Sequence, residues 1–420
     1  MCPRTPNSPQ LPPPPTRGGS ARTPLRVSIV QPSLARYRVP VYRALAREAD
    51  LDIQVLYGTD KGIPNVSAEG FSAQAAPHRH LGVGRLRPFV WQPAHLAAAR
   101  REMSDVLLTV WNTRWISLLP ALRRARQEGV RVVLWGHGYS KNEAAWRRRA
   151  RWRLGEAADA VLFYSQTVAD RYRREGFPPE KIFVAPNSLD QTEIQASRQA
   201  WLGNPAALTA FRDEHRSPAG ATILYVSRLS HANRVDLLID AIAIIAKTRP
   251  DVRLHVVGKG EPVLEQLKEQ VARLGLASHV SFPGAIYGEE KLAPWFLSAT
   301  VFCYPHNVGL SLHHAMGYGL PVVTCDDGDI QNPEFEALAD GVNGRVFRRG
   351  DAEDLARTLL NLINSPDETR RMGDRALHTA TQDYGIPAMV QGMAAAIRGH
   401  IAGHADDHAT PEKPPCLTST

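Results

Sequence analysis

The sequence has few cysteines and no long hydrophobic run. Its 420 residues include only Cys2, Cys303, Cys325 and Cys416, two of them near the termini and two in apparent core strands. Cysteines placed in this way form no disulfide framework and indicate reduced thiols in a cytosolic compartment. No apolar run approaches the ~20 residues that cross a membrane. We therefore predict a cytoplasmic protein.

The first residues do not have the pattern of a secretory leader. The first 24 residues hold eight of the 32 prolines and contain no apolar core. We predict a disordered tail there rather than a signal peptide. Residues 401–420 include the segment HADDHATPEKPP, which has the same polar and proline-bearing character. A second disordered tail is expected at that end.

A complete dinucleotide fingerprint is also absent. The turn after the apolar run at residues 25–30 reads QPSLARYRVP, where a dinucleotide-binding domain would carry G-x-G-x-x-G. Gly258-Lys259-Gly260 lacks the remaining glycine. These observations argue against a nicotinamide or flavin enzyme, and we expect no cofactor.

The charge balance favours acidic partners. The net charge is +8 and the isoelectric point is near 9.4, which suits nucleotides or anionic lipids. No recognised nucleic-acid-binding motif accompanies the charge, so we expect no nucleic-acid partner.

Short apolar runs alternate with helical patterns along most of the chain. This alternation predicts an α/β fold with doubly wound parallel sheets, and the length predicts two domains. A stretch of prolines, polar residues and a few helical turns separates two such halves. The predicted organisation is a tail (1–24), a first Rossmann-like domain (25–186), a connection (187–220), a second Rossmann-like domain (221–384), a crossing helix (385–400) and a tail (401–420).

The most informative stretch is residues 304–328, which read YPHNVGLSLHHAMGYGLPVVTCDDG. A strand precedes Pro305, where the chain must turn. Gly309 then opens a helix that Gly317 and Gly319 end, and a further strand follows. A strand, a tight turn and a helix whose first N–H groups point outward make an anion site. We predict that a phosphate-bearing ligand binds here.

These residues resemble a known family. GLSLHHAMGYGLPVV is similar to the signature of the GT-B glycosyltransferases of family 4. Further matches follow in family order at residues 226–229, 235–239, 256–260, 282–284 and 340–344. Three polar positions depart from the family pattern. His306 and His314 stand where the family has glutamates, and Asn233 stands where it has a lysine.

The resemblance implies two Rossmann-like domains facing a cleft, with the C-terminal helix crossing back to the first domain. It implies a retaining, metal-independent transfer of a sugar from a UDP- or GDP-sugar to a glycan or glycoconjugate acceptor. The departures leave a second reading open, a catalytically degenerate partner protein that binds a nucleotide sugar without turnover. An epimerase on the same scaffold fits the Arg228-Leu229 and Ala315-Met316 contexts less well.

The resemblance also implies roles for individual residues. Arg228 would stabilise the leaving diphosphate, and Arg234 would either supply the missing lysine charge or be simply solvated. His314 would hold the ribose, His306 would face the donor sugar, and His137 would face it from the first domain. The expected catalytic residues are His137, His306 and Arg228. The expected donor-binding residues are Arg228, Asn233, Arg234, Gly258, Gly284, Ala285, Ile286, His306, Val308, Gly309, Leu310, Ser311 and His314.

Two further patterns remain. Glu289 and Glu290 are interpreted as acidic residues that suit a helix N-terminus. The segment WRRRARWR, from Trp146 to Arg153, predicts a basic, aromatic helix. It would either rest peripherally on an anionic membrane near a lipid-linked acceptor or be a solvated face.

Overall fold

The computed structural model describes residues 23–60, 62–83, 86–140, 143–215 and 221–399. Residues 1–22 and 400–420, which contain nearly all of both predicted tails, lie outside the described residues. The described chain forms two parallel sheets, one in each half. The prediction of an α/β fold with two parallel-sheet domains is confirmed.

The first half builds a seven-stranded sheet of order β3-β2-β1-β6-β7-β8-β9, and a separate antiparallel hairpin pairs β4 with β5. Its strands are β1 (Leu25–Gln31), β2 (Leu51–Tyr57), β3 (Ser72–Ala75), β4 (Arg79–Val83), β5 (Leu86–Trp91), β6 (Val106–Val110), β7 (Arg131–Gly136), β8 (Ala160–Phe163) and β9 (Ile182–Val184). Its helices are α1 (Val39–Leu45), α2 (Pro93–Ala98), α3 (Leu118–Glu128), α4 (Ala145–Ala157) and α5 (Gln166–Arg174), with 3-10 turns at Arg36–Arg38 and Pro179–Lys181.

The second half builds a six-stranded parallel sheet of order β12-β11-β10-β13-β14-β15. Its strands are β10 (Thr222–Val226), β11 (Arg253–Val257), β12 (Val280–Gly284), β13 (Val301–Cys303), β14 (Val322–Cys325) and β15 (Gly344–Phe347). The helices after β9 are α6 (Thr192–Leu202), α7 (Pro205–Glu214), α8 (Val235–Ile245), α9 (Val263–Arg273), α10 (Glu289–Ser298), α11 (Ser311–Gly317), α12 (Ala352–Asn364), α13 (Pro366–His378) and α14 (Ile386–Arg398), with 3-10 turns at His231–Asn233 and Pro333–Ala337 and a π turn at Thr379–Asp383.

The central strands are buried on both faces, which explains their continuous apolar sequences. Ile29 and Val30, successive residues of β1, are both fully buried and belong to different core clusters. Successive side chains of a strand point to opposite faces. Each face of the sheet must therefore be covered, and helices cover it.

The sequence predicts a connection at residues 187–220 with a few helical turns. The described part of this segment consists largely of the two helices α6 and α7. Both helices pack against α10, where the rings of Trp201, Phe211 and Trp295 meet. Their apolar residues are spread among polar ones, so the helical period was weak in the sequence and tertiary packing defines the helices.

The C-terminal helix crosses back as predicted. Helix α14 packs against α1, β8 and β9 of the first domain. A Cβ atom at Gly392 would lie 2.0 Å from the carbonyl oxygen of Val184, so the helix rests directly on the backbone of β9. Arg398 at its end donates hydrogen bonds to Asp50 at 2.7 and 2.8 Å and to Glu48 at 2.6 Å.

Candidate functional site

Three loops join at the carboxyl edge of the second sheet, where parallel sheets bind ligands. A Cβ atom at Gly258 would lie 1.9 Å from the carbonyl oxygen of Ser227, and one at Gly260 would lie 2.1 Å from that of Leu229. The backbone N–H of Gly258 also donates to the carbonyl of Gly284 at 2.9 Å. Only glycine allows such approaches. The ends of β10, β11 and β12 therefore form one continuous backbone platform.

Arg228 is exposed on this platform, and Asn233 fixes the loop that carries it. The amide nitrogen of Asn233 donates to the carbonyl of Arg228 at 2.8 Å and to the hydroxyl of Tyr225 at 3.0 Å. Asn233 is only 6% exposed. The residue at the family's lysine position thus shapes the arginine loop, and its amide N–H groups point into the protein.

Arg234 is committed to a local ion pair. Its guanidinium donates to both carboxylate oxygens of Asp236 at 2.9 to 3.1 Å, and its backbone has a φ of 54°. The charge that could replace the missing lysine is therefore largely neutralised by the first turn of α8.

Hydrogen bonds also hold the loop after β13. The imidazole Nδ1 of His306 lies 2.8 Å from the carbonyl oxygen of Ala232, which links this loop to the arginine loop. The N–H of Val308 donates at 2.7 Å to the side chain of Gln331, a buried residue that the sequence analysis missed. Gly309 has open space on the side of a Cβ atom, with one neighbouring atom at 3.5 Å. Leu310 then precedes α11, which begins at Ser311.

A carboxylate, that of Glu289, lies next to His314. Its Nε2 lies 3.0 Å from Oε2 of Glu289, and the same oxygen accepts a hydrogen bond from the hydroxyl of Tyr318 at 2.8 Å. Burial by itself would raise the pKa of Glu289, but the bonds from His314 and Tyr318 outweigh it and hold that pKa below its usual value. The interpretation of Glu289 as a helix-terminus residue therefore described only part of its role.

Three further residues expected to bind the donor, by analogy its nucleobase, lie on the same edge. Gly284 has a φ of 86°, which favours glycine, and Ala285 and Ile286 are half-buried behind it. Lys259 is exposed on the neighbouring loop, with its ammonium 5.8 Å from the ring of Tyr287. This second cation on the platform was not among the predicted site residues.

His137 belongs to the first domain, directly after β7 at the carboxyl edge of the other sheet. It is exposed, and its ring lies 4.9 Å from that of Tyr164 and 6.3 Å from that of Tyr139. Gly138 has a φ of 70° and packs on Phe163, so the turn after the strand is fixed. The structure thus places His137 on a rigid turn, in a different domain from the other candidates.

A carboxylate of the second domain caps a helix of the first. Glu336 accepts hydrogen bonds from the backbone N–H groups of Gln166 at 2.9 Å and Thr167 at 2.8 Å. These N–H groups begin α5, where a negative charge is favourable. The side chain therefore links the two domains.

A polar cluster is buried beside this cap. Glu334 is 5% exposed and accepts a hydrogen bond from Asn187 at 2.6 Å, while its Oε2 has no partner among the residues that the structure describes. Burial raises the pKa of Glu334, and the Asn187 bond and the charge of Arg38 oppose this less strongly. Arg38 is itself buried, 4.7 Å from the ring of Trp135 and 5.1 Å from that of Tyr164.

Two family models match the chain. Residues 26–193 match Glycosyltransferase Family 4, and residues 220–365 match Glycosyl transferases group 1. One match falls on each of the two parallel-sheet halves. Together with the fold, they place the chain among the glycosyltransferases of the GT-B fold.

Individual relatives are similar over part of their length. The D-inositol 3-phosphate glycosyltransferase of Streptomyces coelicolor is 29% identical over 54% of this chain and 52% of the relative. The GDP-mannose-dependent alpha-(1-6)-phosphatidylinositol monomannoside mannosyltransferase of Mycolicibacterium smegmatis is 27% identical over 62% of this chain and 68% of the relative. The chain thus spans about half the length of the first of these relatives.

A solved structure extends the likeness to nearly the whole chain. HepE of Anabaena, solved in complex with UDP, matches with a TM-score of 0.66 and 19% identity, over 88% of this chain and 98% of that chain. At this identity the likeness concerns the fold. Within the described residues of this chain, no helix is long and apolar enough to span a bilayer.

Proposed function

We propose that the protein is a glycosyltransferase that takes a sugar from a UDP- or GDP-sugar and transfers it to a glycan or glycoconjugate acceptor. The observation that carries the proposal is the backbone platform of Ser227, Gly258 and Gly284, with Arg228 exposed on it. The family matches to both halves of the chain support this reading. UDP is bound by HepE and GDP-mannose is used by the mycobacterial relative, so both bases are candidates.

The proposed transfer needs a positive charge beside the leaving diphosphate. As the bond between the sugar and the diphosphate breaks, negative charge develops on the phosphate oxygens. Arg228 would meet this charge, because preorganised cations stabilise a transition state without reorganisation. His306 and His137 would contact the donor sugar from the two sides of the cleft. Retention of the anomeric configuration and independence from metal ions are proposed from the family resemblance.

A donor panel tests the proposal. The protein is incubated with UDP-glucose and with GDP-mannose, and free UDP or GDP is measured with and without candidate acceptors such as inositol phosphate and phosphatidylinositol. We expect release with one donor, unchanged by EDTA, and a product whose NMR spectrum shows the donor's anomeric configuration. Inversion would refute the retaining mechanism. Inhibition by EDTA that a divalent cation reverses would refute metal independence.

The second candidate function is a partner protein that binds a nucleotide sugar without turnover. Arg234 and Asn233 favour it, because the first is paired with Asp236 and the second is buried, so the lysine position provides no free cation. This alternative predicts that a nucleotide sugar raises the melting temperature while no acceptor in the panel releases free nucleotide. Sustained release would exclude it.

Peripheral membrane contact through α4 is a further proposal, and it suits a lipid-linked acceptor and a cytoplasmic protein. Trp146 is 67% exposed, whereas Arg151 is buried and paired with Glu143 at 2.6 Å. Arg149 and Arg153 are exposed on the same helix as Trp146. We expect co-sedimentation with phosphatidylserine vesicles that weakens with salt and with Trp146→Ala. Equal sedimentation of the variant would favour a solvated face.

A further inference from the structure

Glu289 holds one carboxylate oxygen in a fixed place and leaves the other available. Its Oε2 accepts from the hydroxyl of Tyr318 at 2.8 Å and lies 3.0 Å from Nε2 of His314. The ring of Phe296 stacks on Tyr318 at 4.7 Å and lies 4.6 Å from His314, so both donors are held by packing. In the part of the chain that the structure describes, Oε1 takes part in no hydrogen bond.

The Glu289 carboxylate follows the backbone platform closely in the chain. Glu289 begins α10, and only Tyr287 and Gly288 separate it from the loop of Gly284 to Ile286. Its side chain is 19% exposed. The fixed carboxylate therefore lies next to the platform and is open to a ligand on one side.

The chemistry of this group selects one part of a nucleotide sugar. An ionised carboxylate only accepts hydrogen bonds. It repels a diphosphate, whereas the two neighbouring hydroxyls of a ribose can both donate to it. Hydrogen bonds to charged groups are also the stronger ones.

We propose that Glu289 receives the ribose hydroxyls of the nucleotide donor, and that His314 and Tyr318 are positioning residues that aim its carboxylate. The inference rests on the proposed function, since it needs a nucleotide on the platform. It gives the site a carboxylate from α10, where the family resemblance led us to expect His314 itself to hold the ribose.

Calorimetric titration tests the inference. UDP and GDP are first titrated into wild type, and the one that binds is then compared, for every protein, with its 2′,3′-dideoxy form. The ratio of the two affinities reports the ribose hydroxyls alone. The affinity of a variant for the nucleoside diphosphate alone cannot report the ribose contact, because removing the negative charge of Glu289 also relieves its repulsion of the phosphates.

The variants separate the carboxylate from its surroundings. We expect wild type to prefer the intact ribose by about tenfold or more, as a charge-assisted hydrogen bond provides. Glu289→Gln should lose most of this preference, and the control Glu290→Gln, which changes the adjacent exposed carboxylate, should keep it. The double variant Glu289→Gln with His314→Glu should regain part of the preference, because it returns a carboxylate to the neighbouring position on α11.

The outcomes distinguish a failure of the proposed function from a failure of the inference about Glu289. If wild type binds neither UDP nor GDP, the proposed function fails and the inference fails with it. If wild type prefers the intact ribose and Glu289→Gln does so equally, the inference alone is overturned. Thermal unfolding without ligand checks that Glu289→Gln is folded. Should it be unfolded, Tyr318→Phe replaces it: a reduced ribose preference supports the inference, and an unchanged one overturns it.

Discussion

Acid should destabilise the first domain through His95. This side chain is fully buried, with Nδ1 2.9 Å from the hydroxyl of Ser117 and Nε2 2.8 Å from that of Thr109. Burial lowers the pKa of His95 to about 3. The unfolded chain therefore takes up a proton as the pH falls below the ordinary value of about 6.5, while the folded chain does not. Stability is lost with falling pH through this window.

The magnitude follows from the two pKa values. At pH 5 the pH is about 1.5 units below the pKa of this imidazole in the unfolded chain, and each unit corresponds to about 1.4 kcal/mol. Because the folded value lies lower still, we expect His95 alone to cost about 2 kcal/mol of unfolding free energy between pH 7.5 and pH 5.

Urea unfolding at both pH values provides the assay. Six of the eight tryptophans lie between residues 91 and 152, so tryptophan fluorescence reports mainly on the first domain. His95→Gln cannot take up the proton, and we expect it to lose about 2 kcal/mol less than wild type on acidification. Other titrating groups are common to both proteins and cancel in the difference. Equal losses in the two proteins would refute the linkage to His95.

Three further substitutions test the structure. Glu336→Gln weakens the cap on α5 and should lower the unfolding free energy by about 1 kcal/mol, with a larger radius of gyration by X-ray scattering; an unchanged radius would mean that the cap does not hold the domains together. Glu143→Gln leaves the buried Arg151 charge without its partner and should cost about 3–5 kcal/mol in urea unfolding, so a loss below 1 kcal/mol would contradict the buried pair. Gly258→Ala pushes a Cβ atom against Ser227 and should abolish the rise in melting temperature that a nucleotide produces, which full retention of that rise would contradict.

The architecture could be predicted because it depends on local patterns. The runs at β10, β11 and β13 are apolar and short, and they are separated by helical periods, so their order indicated a parallel sheet. Strand β3 could not be found in this way. It reads SAQA and lies at the sheet edge with mostly exposed residues, so it has neither an apolar run nor a clear alternation.

The site could be predicted only where backbone and neighbours in sequence define it. Gly258 belongs to the short pattern Gly258-Lys259-Gly260. Its backbone closely approaches Ser227 at another strand end, which explains why a glycine is required there. Glu289 reaches His314 across 25 positions, and Glu336 reaches the start of α5 across 170 positions. Such contacts depend on how helices and domains pack. A carboxylate missing from one helix can then be provided by another, and the sequence near His314 contains no signal for it.

The two arginines after β10 allow a matched test of which cation binds the diphosphate. Arg228 is exposed, and in the described part of the chain its side chain has no hydrogen bond or ion pair, whereas Arg234 donates to both oxygens of Asp236. A cation already bound to a carboxylate must give up that partner before it can bind a phosphate. We therefore expect Arg228→Gln to weaken nucleoside diphosphate binding by about tenfold or more and Arg234→Gln by less than about threefold. Both variants lose one positive charge, so the long-range attraction of the ligand changes similarly, and calorimetry at two salt concentrations measures that shared part. Equal losses would mean that the ion pair with Asp236 opens when the nucleotide binds, and Arg234 would then have the role of the missing lysine.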